Sequence, residues 1–135
     1  MINRELIRNK VVQLTYAYYQ NGSKNIDSAE KELFFSLSKA YDLYNHLLSL
    51  MAAVSKEAQR HLEVAQSRAR REGTETPSTK FAYNRFAMQL AENRMLNEFI
   101  QTQKKTWSDE PEFIKKLYLQ ITESQIYADY IASSE

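Results

Sequence analysis

Residues 33–69 read LFFSLSKAYDLYNHLLSLMAAVSKEAQRHLEVAQSRA, and neither glycine nor proline interrupts them. Apolar residues recur in this stretch at spacings of three and four, which is the period of an amphipathic helix. Upstream, Asp27 and Glu30 form an acidic variant of a capping box, so the helix should start near Ser28. The sequence therefore predicts one very long helix over residues 28–72, roughly 60 Å in length at about 1.5 Å per residue.

The two halves of this helix differ in composition. Before Met51 its apolar positions hold large and aromatic residues, whereas after Val54 they are mostly alanines separated by charged residues. We expect the first half to belong to the core and the second half to form a thin two-helix seam. A helix of this length exceeds the width of a compact domain of 135 residues, so its far end should project or form half of a hairpin.

Other helices are predicted on both sides of the long one. Asn21 and Gly22 are suited to ending the first helix, and the stretch EGTETPST is the one clear linker, at residues 72–79. Pro77 is acceptable in the first turn of a helix that returns antiparallel along the long one. Ser108 and Ser124 are good N-caps for two further helices. The predicted helices cover residues 3–20, 28–72, 77–105, 109–123 and 125–132.

These elements predict a single all-α domain, a bundle of four to five helices in which the long helix forms an antiparallel helical hairpin. The scarcity of glycine and proline, two residues of each, agrees with long helices. The chain has no cysteine, which excludes disulfides and cysteine-based metal sites. No apolar run approaches the roughly 18–20 residues of a membrane span, and no signal peptide is apparent. The sequence thus predicts a soluble, cytoplasmic protein.

Catalysis has little support in the sequence. His46 and His61 are the only histidines, and their separation on one helix cannot bring them to a common metal ion. The acidic clusters lie at predicted helix starts, where the helix dipole favours negative charge. No glycine-rich phosphate loop is present. We therefore expect a protein that is not an enzyme and that binds neither a metal ion nor a cofactor.

Because the net charge is only +1, any attraction to nucleic acid must come from local clusters of basic residues. Arg68, Arg70 and Arg71 end the long helix, where cations are favoured by the dipole, so a solubilising role explains them. A second cluster lies near the start of the first helix, where the dipole opposes positive charge. It contains Arg4, Arg8 and Lys10.

The first helix has two different faces. Its apolar stripe contains Ile7, Val11, Leu14 and Tyr18 and should face the core. Gln13 and Tyr16 lie away from that stripe and can hydrogen-bond to or stack on unpaired bases. The sequence leaves the position of Tyr19 open.

The stretch RNKVVQLTYAYYQ, residues 8–20, resembles the first helix of the NusB family of transcription antitermination factors. In that family an arginine-rich start leads into a pattern of the form AR-x-x-A-V-Q-x-L-Y. Val11 and Thr15 replace the alanine and leucine of the pattern, and Leu6 and Ile7 interrupt the arginine run. The matching positions are Arg4, Arg8, Val12, Gln13 and Tyr16. The stretches ELFFSLSKAYDLYNHLL and NRF further resemble a longer variant of the family.

This resemblance implies a small, all-helical, non-catalytic protein that binds the boxA element of nascent RNA. The family acts together with ribosomal protein S10 (NusE) in the transcription elongation complex. By resemblance the RNA-facing residues would be Arg4, Arg8, Gln13 and Tyr16, with Lys10 added on its charge. The family's C-terminal stretches, of the types V-x-x-N-E-x-V-E-x-A-K and F-V-N-G-x-L, do not occur within these 135 residues. The resemblance therefore implies an N-terminal piece of a longer protein, and apolar surface left open in such a piece would favour self-association.

Two other interpretations of the sequence remain open. In the first, the chain is a helical protein–protein interaction module with a projecting two-helix arm, and the first helix is only part of the core. In the second, RNA binds at the basic tip of the long helix, at Arg68, Arg70 and Arg71. Sequence does not identify the RNA or the oligomeric state.

Overall fold

A computed structural model of the chain describes residues 3–22 and 25–134, and all regular structure in these ranges is helical. The all-α prediction and the very long helix are therefore confirmed. No helix in the described ranges carries an apolar stretch long enough to cross a bilayer. The six α-helices are α1 (Arg4–Gln20), α2 (Ile26–Glu72), α3 (Arg85–Glu92), α4 (Arg94–Thr102), α5 (Pro111–Thr122) and α6 (Gln125–Ala132), with a 3-10 helix at Trp107–Asp109.

The chain divides into two compact units, residues 1–46 and residues 47–135. The first unit contains α1 and the beginning of α2. The second contains the remainder of α2 and every element that follows it. The 47 residues of α2 therefore contribute to both units.

Asparagine side chains begin the first two helices. The Oδ1 atom of Asn3 accepts a hydrogen bond from the Leu6 amide at 2.8 Å and caps α1. The Oδ1 atom of Asn25 accepts hydrogen bonds from the amides of Asp27 and Ser28. Asp27 was the predicted cap, and this prediction is wrong: α2 begins two residues earlier because Asn25 Oδ1 already accepts from the free N–H groups there.

Glycines follow the ends of both helices, as predicted for the first. Gly22 has φ of 62° and Gly73 has φ of 66°, the left-handed region in which a Cβ atom would be unfavourable. The amide of Thr74 donates to the carbonyl oxygen of Ala69 at 3.1 Å and closes the last turn of α2. The length of α2 is thus set by a capping asparagine at one end and a left-handed glycine at the other.

The helix predicted over 77–105 is not continuous. Residues 74–84 contain no helix and have a turn only at 80–83; α3 begins after Asn84, whose Oδ1 atom accepts from the Ala87 amide at 2.8 Å. Asn93 then ends α3 and caps α4, since its Oδ1 atom accepts from the Leu96 amide at 2.9 Å. Two capping asparagines inside an otherwise periodic sequence thus divide the segment. The chain returns along α2 through a turn and two short helices, so the described ranges contain six α-helices where four to five were predicted.

The predictions for the last two helices differ in outcome. Ser108 is not the N-cap of α5, because the 3-10 helix occupies that position and Pro111 is the first residue of α5. The amide of Thr106 donates to Asp109 Oδ2 at 2.7 Å and stabilises the 3-10 helix. The prediction of α6 is confirmed, with Ser124 Oγ accepting from the Tyr127 amide.

The core of the second unit lies on the half of α2 that is rich in alanine. Ala58 and Leu62 pack with Ala82 from the turn after α2, and the rings of Phe81 and Tyr118 cover them. The large side chains in the first half of α2 are exposed, among them Phe34, Phe35, Tyr41 and Tyr44. The predicted distribution of core and seam is therefore reversed. Small side chains allow the returning backbone to approach α2 closely. The side-chain Nε2 of Gln59 donates to the Ala82 carbonyl oxygen at 3.1 Å.

A lysine attaches α6 to the turn after α2. Lys80 Nζ donates to the carbonyl oxygens of Tyr130 and Ser133, at 2.7 and 2.8 Å, and lies 4.5 Å from the centre of the Tyr130 ring. A cation at these carbonyls is favoured by the helix dipole. The ring of Phe81 also meets Tyr127 edge-to-face, with centroids 5.2 Å apart. The end of the described chain is thus held to the core of the second unit.

Candidate nucleic-acid interface

The five residues predicted to contact RNA all lie on α1 in the first unit. Arg4, Arg8, Gln13 and Tyr16 are exposed, and Tyr16 retains 67% of its accessible surface. Lys10 is half-buried. Four of the five side chains are therefore available to a ligand, and Lys10 is the exception.

Helical geometry divides the four exposed residues. At about 100° per residue, Arg4 and Arg8 are about 40° apart, and Tyr16 lies about 80° beyond Arg8. Gln13 is about 180° from Arg4. Arg4, Arg8 and Tyr16 share the outward face of α1, and Gln13 lies at the far edge of this face, about 60° beyond Tyr16.

Two exposed residues on the same outward face escaped the prediction. Val12 lies between Arg8 and Tyr16 on the helical wheel, and Tyr19 lies beside Val12; both are more than two-thirds exposed. The ring of Tyr19 meets that of Tyr18 edge-to-face, with centroids 5.6 Å apart and an angle of 79° between the ring planes. Tyr18 is half-buried and so limits the movement of Tyr19. The tyrosine cluster in the sequence was the signal that marked Tyr19.

The positive charge of this face comes from Arg4 and Arg8, and the exposed Glu5 lies on the same face. Among the residues that the structure describes, no acidic side chain forms an ion pair with Arg4 or Arg8. Glu5 is the only acidic residue of α1, against Arg4, Arg8 and Lys10. Two arginines one helical turn apart, both exposed and unpaired, can each donate several hydrogen bonds to a phosphate.

Next to this outward face, α1 forms an apolar groove with the beginning of α2, and Tyr19 belongs to both surfaces. No residue of α1 is fully buried. Leu14 and Tyr18 of the predicted core stripe are half-buried, but Ile7 and Val11 remain 38% and 41% exposed. The groove has a volume of about 290 Å³ and is lined by Val11, Leu14, Thr15, Tyr18, Tyr19, Ile26, Ala29, Glu30 and Leu33. The contact between α1 and α2 thus leaves much of its apolar surface open.

The basic tip of α2 has a different environment. Arg68, Arg70 and Arg71 are all exposed. Arg71 Nε donates to the Ser67 carbonyl oxygen at 3.3 Å, in the last turn of the helix, as expected for a cation that satisfies free carbonyl groups. Arg71 thus has a contact that supports a role at the helix end, whereas no hydrogen bond joins the side chain of Arg4 or Arg8 to a described residue.

A charged cluster lies in the second unit, where the Glu57 carboxylate accepts hydrogen bonds from two other residues of α2. Arg60 contacts both carboxylate oxygens, at 2.6 and 3.0 Å, and His61 Nε2 lies 3.1 Å from Oε1. These contacts, with that of Arg60 the largest, lower the pKa of Glu57 despite its burial. Burial raises the pKa of Tyr118, which stacks on His61 with centroids 4.7 Å apart. The carboxylate is thus paired within α2, and His61 links it to Tyr118 of α5.

His61 and Glu57 do not extend into a metal site, since no group of three potential metal ligands occurs among the described residues. His46, the other histidine, lies fifteen positions earlier on the same helix. No family model matches this chain, and neither a curated protein nor a solved structure matches it.

Proposed function

We propose that this chain is a non-catalytic RNA-binding factor of transcription antitermination, similar to NusB, that binds boxA-type RNA together with NusE. The observation that carries the proposal is the outward face of α1. There Arg4 and Arg8 are exposed and unpaired with any described residue, and Tyr16 lies on the same face. The resemblance of residues 8–20 to the first helix of the NusB family supports the same assignment. A role in transcription would place the protein in the cytoplasm.

The chemistry of the three side chains suits single-stranded RNA. The two guanidinium groups would contact successive phosphates, which fix the register of the RNA but do not read its bases. Tyr16 lies roughly 12 Å along the helix axis from Arg8. Its ring would stack on an unpaired base, and base-specific recognition would come from this region and from the partner protein. Gln13 would contact the RNA only beside Tyr16, since it lies about 180° from Arg4. Lys10 would contribute less because it is half-buried.

The proposal is tested by measuring RNA affinity with fluorescence anisotropy, with and without NusE, using a boxA RNA and a scrambled RNA of equal length. Arg4→Ala combined with Arg8→Ala should weaken binding to both RNAs. It should also reduce the slope of log K against log salt by about 1.4, since each single-strand phosphate contact contributes about 0.7. The matched control replaces Lys104 and Lys105, two exposed lysines of the second unit, by alanine. Equal binding by the α1 double variant and the wild-type protein would exclude this site.

A reciprocal pair of variants separates the α1 site from the basic tip of α2. If RNA binds at the tip, replacing Arg68, Arg70 and Arg71 by alanine lowers affinity and the α1 variants do not. The α1 proposal predicts the opposite pattern. Both sets remove exposed arginines, so a general loss of charge cannot explain a difference between them.

The second candidate function is a helical protein–protein interaction module without RNA binding of its own. The observation that favours it is the open apolar groove between α1 and α2. An apolar patch of this kind on a soluble protein typically marks an interaction site. No binding of boxA RNA, with or without NusE, together with capture of a defined protein by the groove, would favour this candidate over the first.

A further inference from the structure

The outward face of α1 has its centre close to Tyr19. Five residues of α1 are half-buried and mark the side of the helix that is turned inward: Leu6, Lys10, Leu14, Ala17 and Tyr18. At about 100° per residue, the direction opposite to their mean passes between Tyr19 and Val12. Arg8 lies about 30° to one side of this direction and Tyr16 about 50° to the other. Tyr19, which is 76% exposed, is therefore the outermost aromatic side chain of α1.

Charged and aromatic side chains are separated along this face. Its charged residues all lie within the first two turns of the helix: Arg4, Glu5 and Arg8. The later turns present Val12, Tyr16 and Tyr19, which are between 67% and 76% exposed. Single-stranded RNA needs both kinds of surface, because cationic donors hold its phosphates and aromatic rings stack on its bases.

The spacing of Tyr16 and Tyr19 suits two neighbouring bases. The two residues are three positions apart, so their Cβ atoms are about 5–6 Å apart on the helix surface. Stacked bases of one strand are about 3.4 Å apart. Two neighbouring nucleotides therefore place one base on each ring when the step between them opens slightly. In common RNA-binding modules, aromatic side chains stack on two or three bases in this way.

The ring of Tyr19 is restrained by Tyr18. The two rings meet edge-to-face, with centroids 5.6 Å apart, and Tyr18 is half-buried. Because Tyr19 nevertheless remains largely exposed, this contact covers only part of its ring. A ring that is already restrained loses less conformational entropy when a base stacks on it. Tyr19 is thus both accessible and preorganised.

We propose that Tyr19 is a second base-stacking residue of the α1 site, so that Tyr16 and Tyr19 bind two consecutive unpaired bases of single-stranded RNA. This inference rests on the proposed function and specifies the ligand of the same face. The strand would place a phosphate at Arg8 and continue towards the two tyrosines. Tyr19 lies about 16 Å along the helix axis from Arg8, which about five nucleotides span at stacked spacing.

The first test measures the affinity of a boxA RNA by fluorescence anisotropy. Tyr19→Ala should weaken binding between about 5-fold and about 140-fold, which corresponds to the loss of one stacked base. Tyr19→Phe retains the ring and should bind nearly as well as the wild type. The matched control is Tyr44→Ala, which removes an exposed tyrosine from α2 and should leave the affinity unchanged. Circular dichroism would show whether each variant retains its helices.

A second measurement locates the two bases. The fluorescence of 2-aminopurine depends on how it is stacked, so a set of boxA RNAs carries this base at one position in turn. The wild-type protein should change the signal at two adjacent positions. Tyr19→Ala should abolish the change at one of them, and Tyr16→Ala at the other. A variant that only disturbed the helix would abolish both changes, so the pattern separates stacking from a structural role.

The outcomes distinguish this inference from the proposed function. If Tyr19→Ala binds RNA normally while Arg4→Ala combined with Arg8→Ala weakens binding, the role of Tyr19 is overturned and the RNA site on α1 is retained. If Tyr19→Ala weakens binding of NusE in the absence of RNA and leaves the RNA affinity unchanged, this part of the face binds protein and the inference is wrong. A wild-type chain that binds no RNA would overturn both.

Discussion

Arg60 contacts both oxygens of the Glu57 carboxylate from one turn farther along α2, through Nη2 at 2.6 Å and Nε at 3.0 Å. The Glu57 side chain is only 12% exposed, whereas that of Arg60 is 55% exposed. The ion pair therefore joins a nearly buried carboxylate to a cation at the surface. His61 adds a third contact to the same carboxylate and stacks on Tyr118 of α5.

This pair predicts a pH dependence of stability. The pKa of Glu57 is lower in the folded protein than its ordinary value because Arg60 and His61 favour the ionised form. Its contribution is therefore fully present above the ordinary glutamate pKa of about 4.3 and is lost as the pH falls through the lowered value. Glu57→Gln should cost about 1 kcal/mol at pH 7. The cost should shrink below about pH 4.

Thermal unfolding of both proteins between neutral and acidic pH, followed by circular dichroism, measures this difference. Lys115 and Glu112 form an exposed pair on α5, so Glu112→Gln is a suitable control that should change little at any pH. A cost of Glu57→Gln that does not vary with pH would show that the carboxylate charge is not the source of its contribution.

Leu62 should be important for the stability of the second unit. It is 7% exposed and packs with Ala58 and Ala82 in the core. Leu62→Ala should therefore reduce the free energy of unfolding by about 2–4 kcal/mol. Val64, two positions along the same helix, is 53% exposed, and Val64→Ala should change it by less than about 0.5 kcal/mol. Urea denaturation measures both, and similar costs for the two variants would contradict the assigned core.

Asn93 should determine where α4 begins. Its side chain accepts from the Leu96 amide, so Asn93→Ala should destabilise the start of α4 by about 1 kcal/mol. Hydrogen exchange at Leu96 should become faster. Asn93→Asp retains the acceptor and places a negative charge at the helix start, so it should preserve the slow exchange. If alanine leaves exchange at Leu96 unchanged, the cap is not what divides the two helices.

Substitutions of Tyr16 test whether stacking, rather than charge, contributes to binding at the proposed RNA site. Tyr16→Ala should weaken RNA binding by about 1–3 kcal/mol, the contribution of one base stacked on an aromatic ring. The salt dependence should not change, because no charge is removed. Tyr16→Phe retains the ring and should bind nearly as well as the wild type. Anisotropy titrations at several salt concentrations test this, and a weakened Tyr16→Phe variant would show that the hydroxyl group acts instead of the ring.

Local sequence signals predicted the type and approximate extent of most helices. The periodicity of residues 28–72 predicted α2 almost to its ends, and Ser124 predicted the start of α6. The helix over 77–105 was mispredicted because its apolar periodicity continues through Asn84 and Asn93. Whether such an asparagine caps a helix or lies within one depends on the direction of the chain around it, which periodicity does not encode.

The sequence by itself determined that the described chain is helical, that α2 is very long and that α1 presents arginines and tyrosines away from its apolar stripe. These properties follow from spacings of three and four residues, which belong to a single helix. Only the tertiary structure decided which half of α2 is covered. The alanine-rich half admits the backbone near Ala82, whereas the half with the larger side chains contributes to an open groove with α1. Burial depends on which segment of the chain can approach a helix face, and hydrophobicity along one helix does not contain that information.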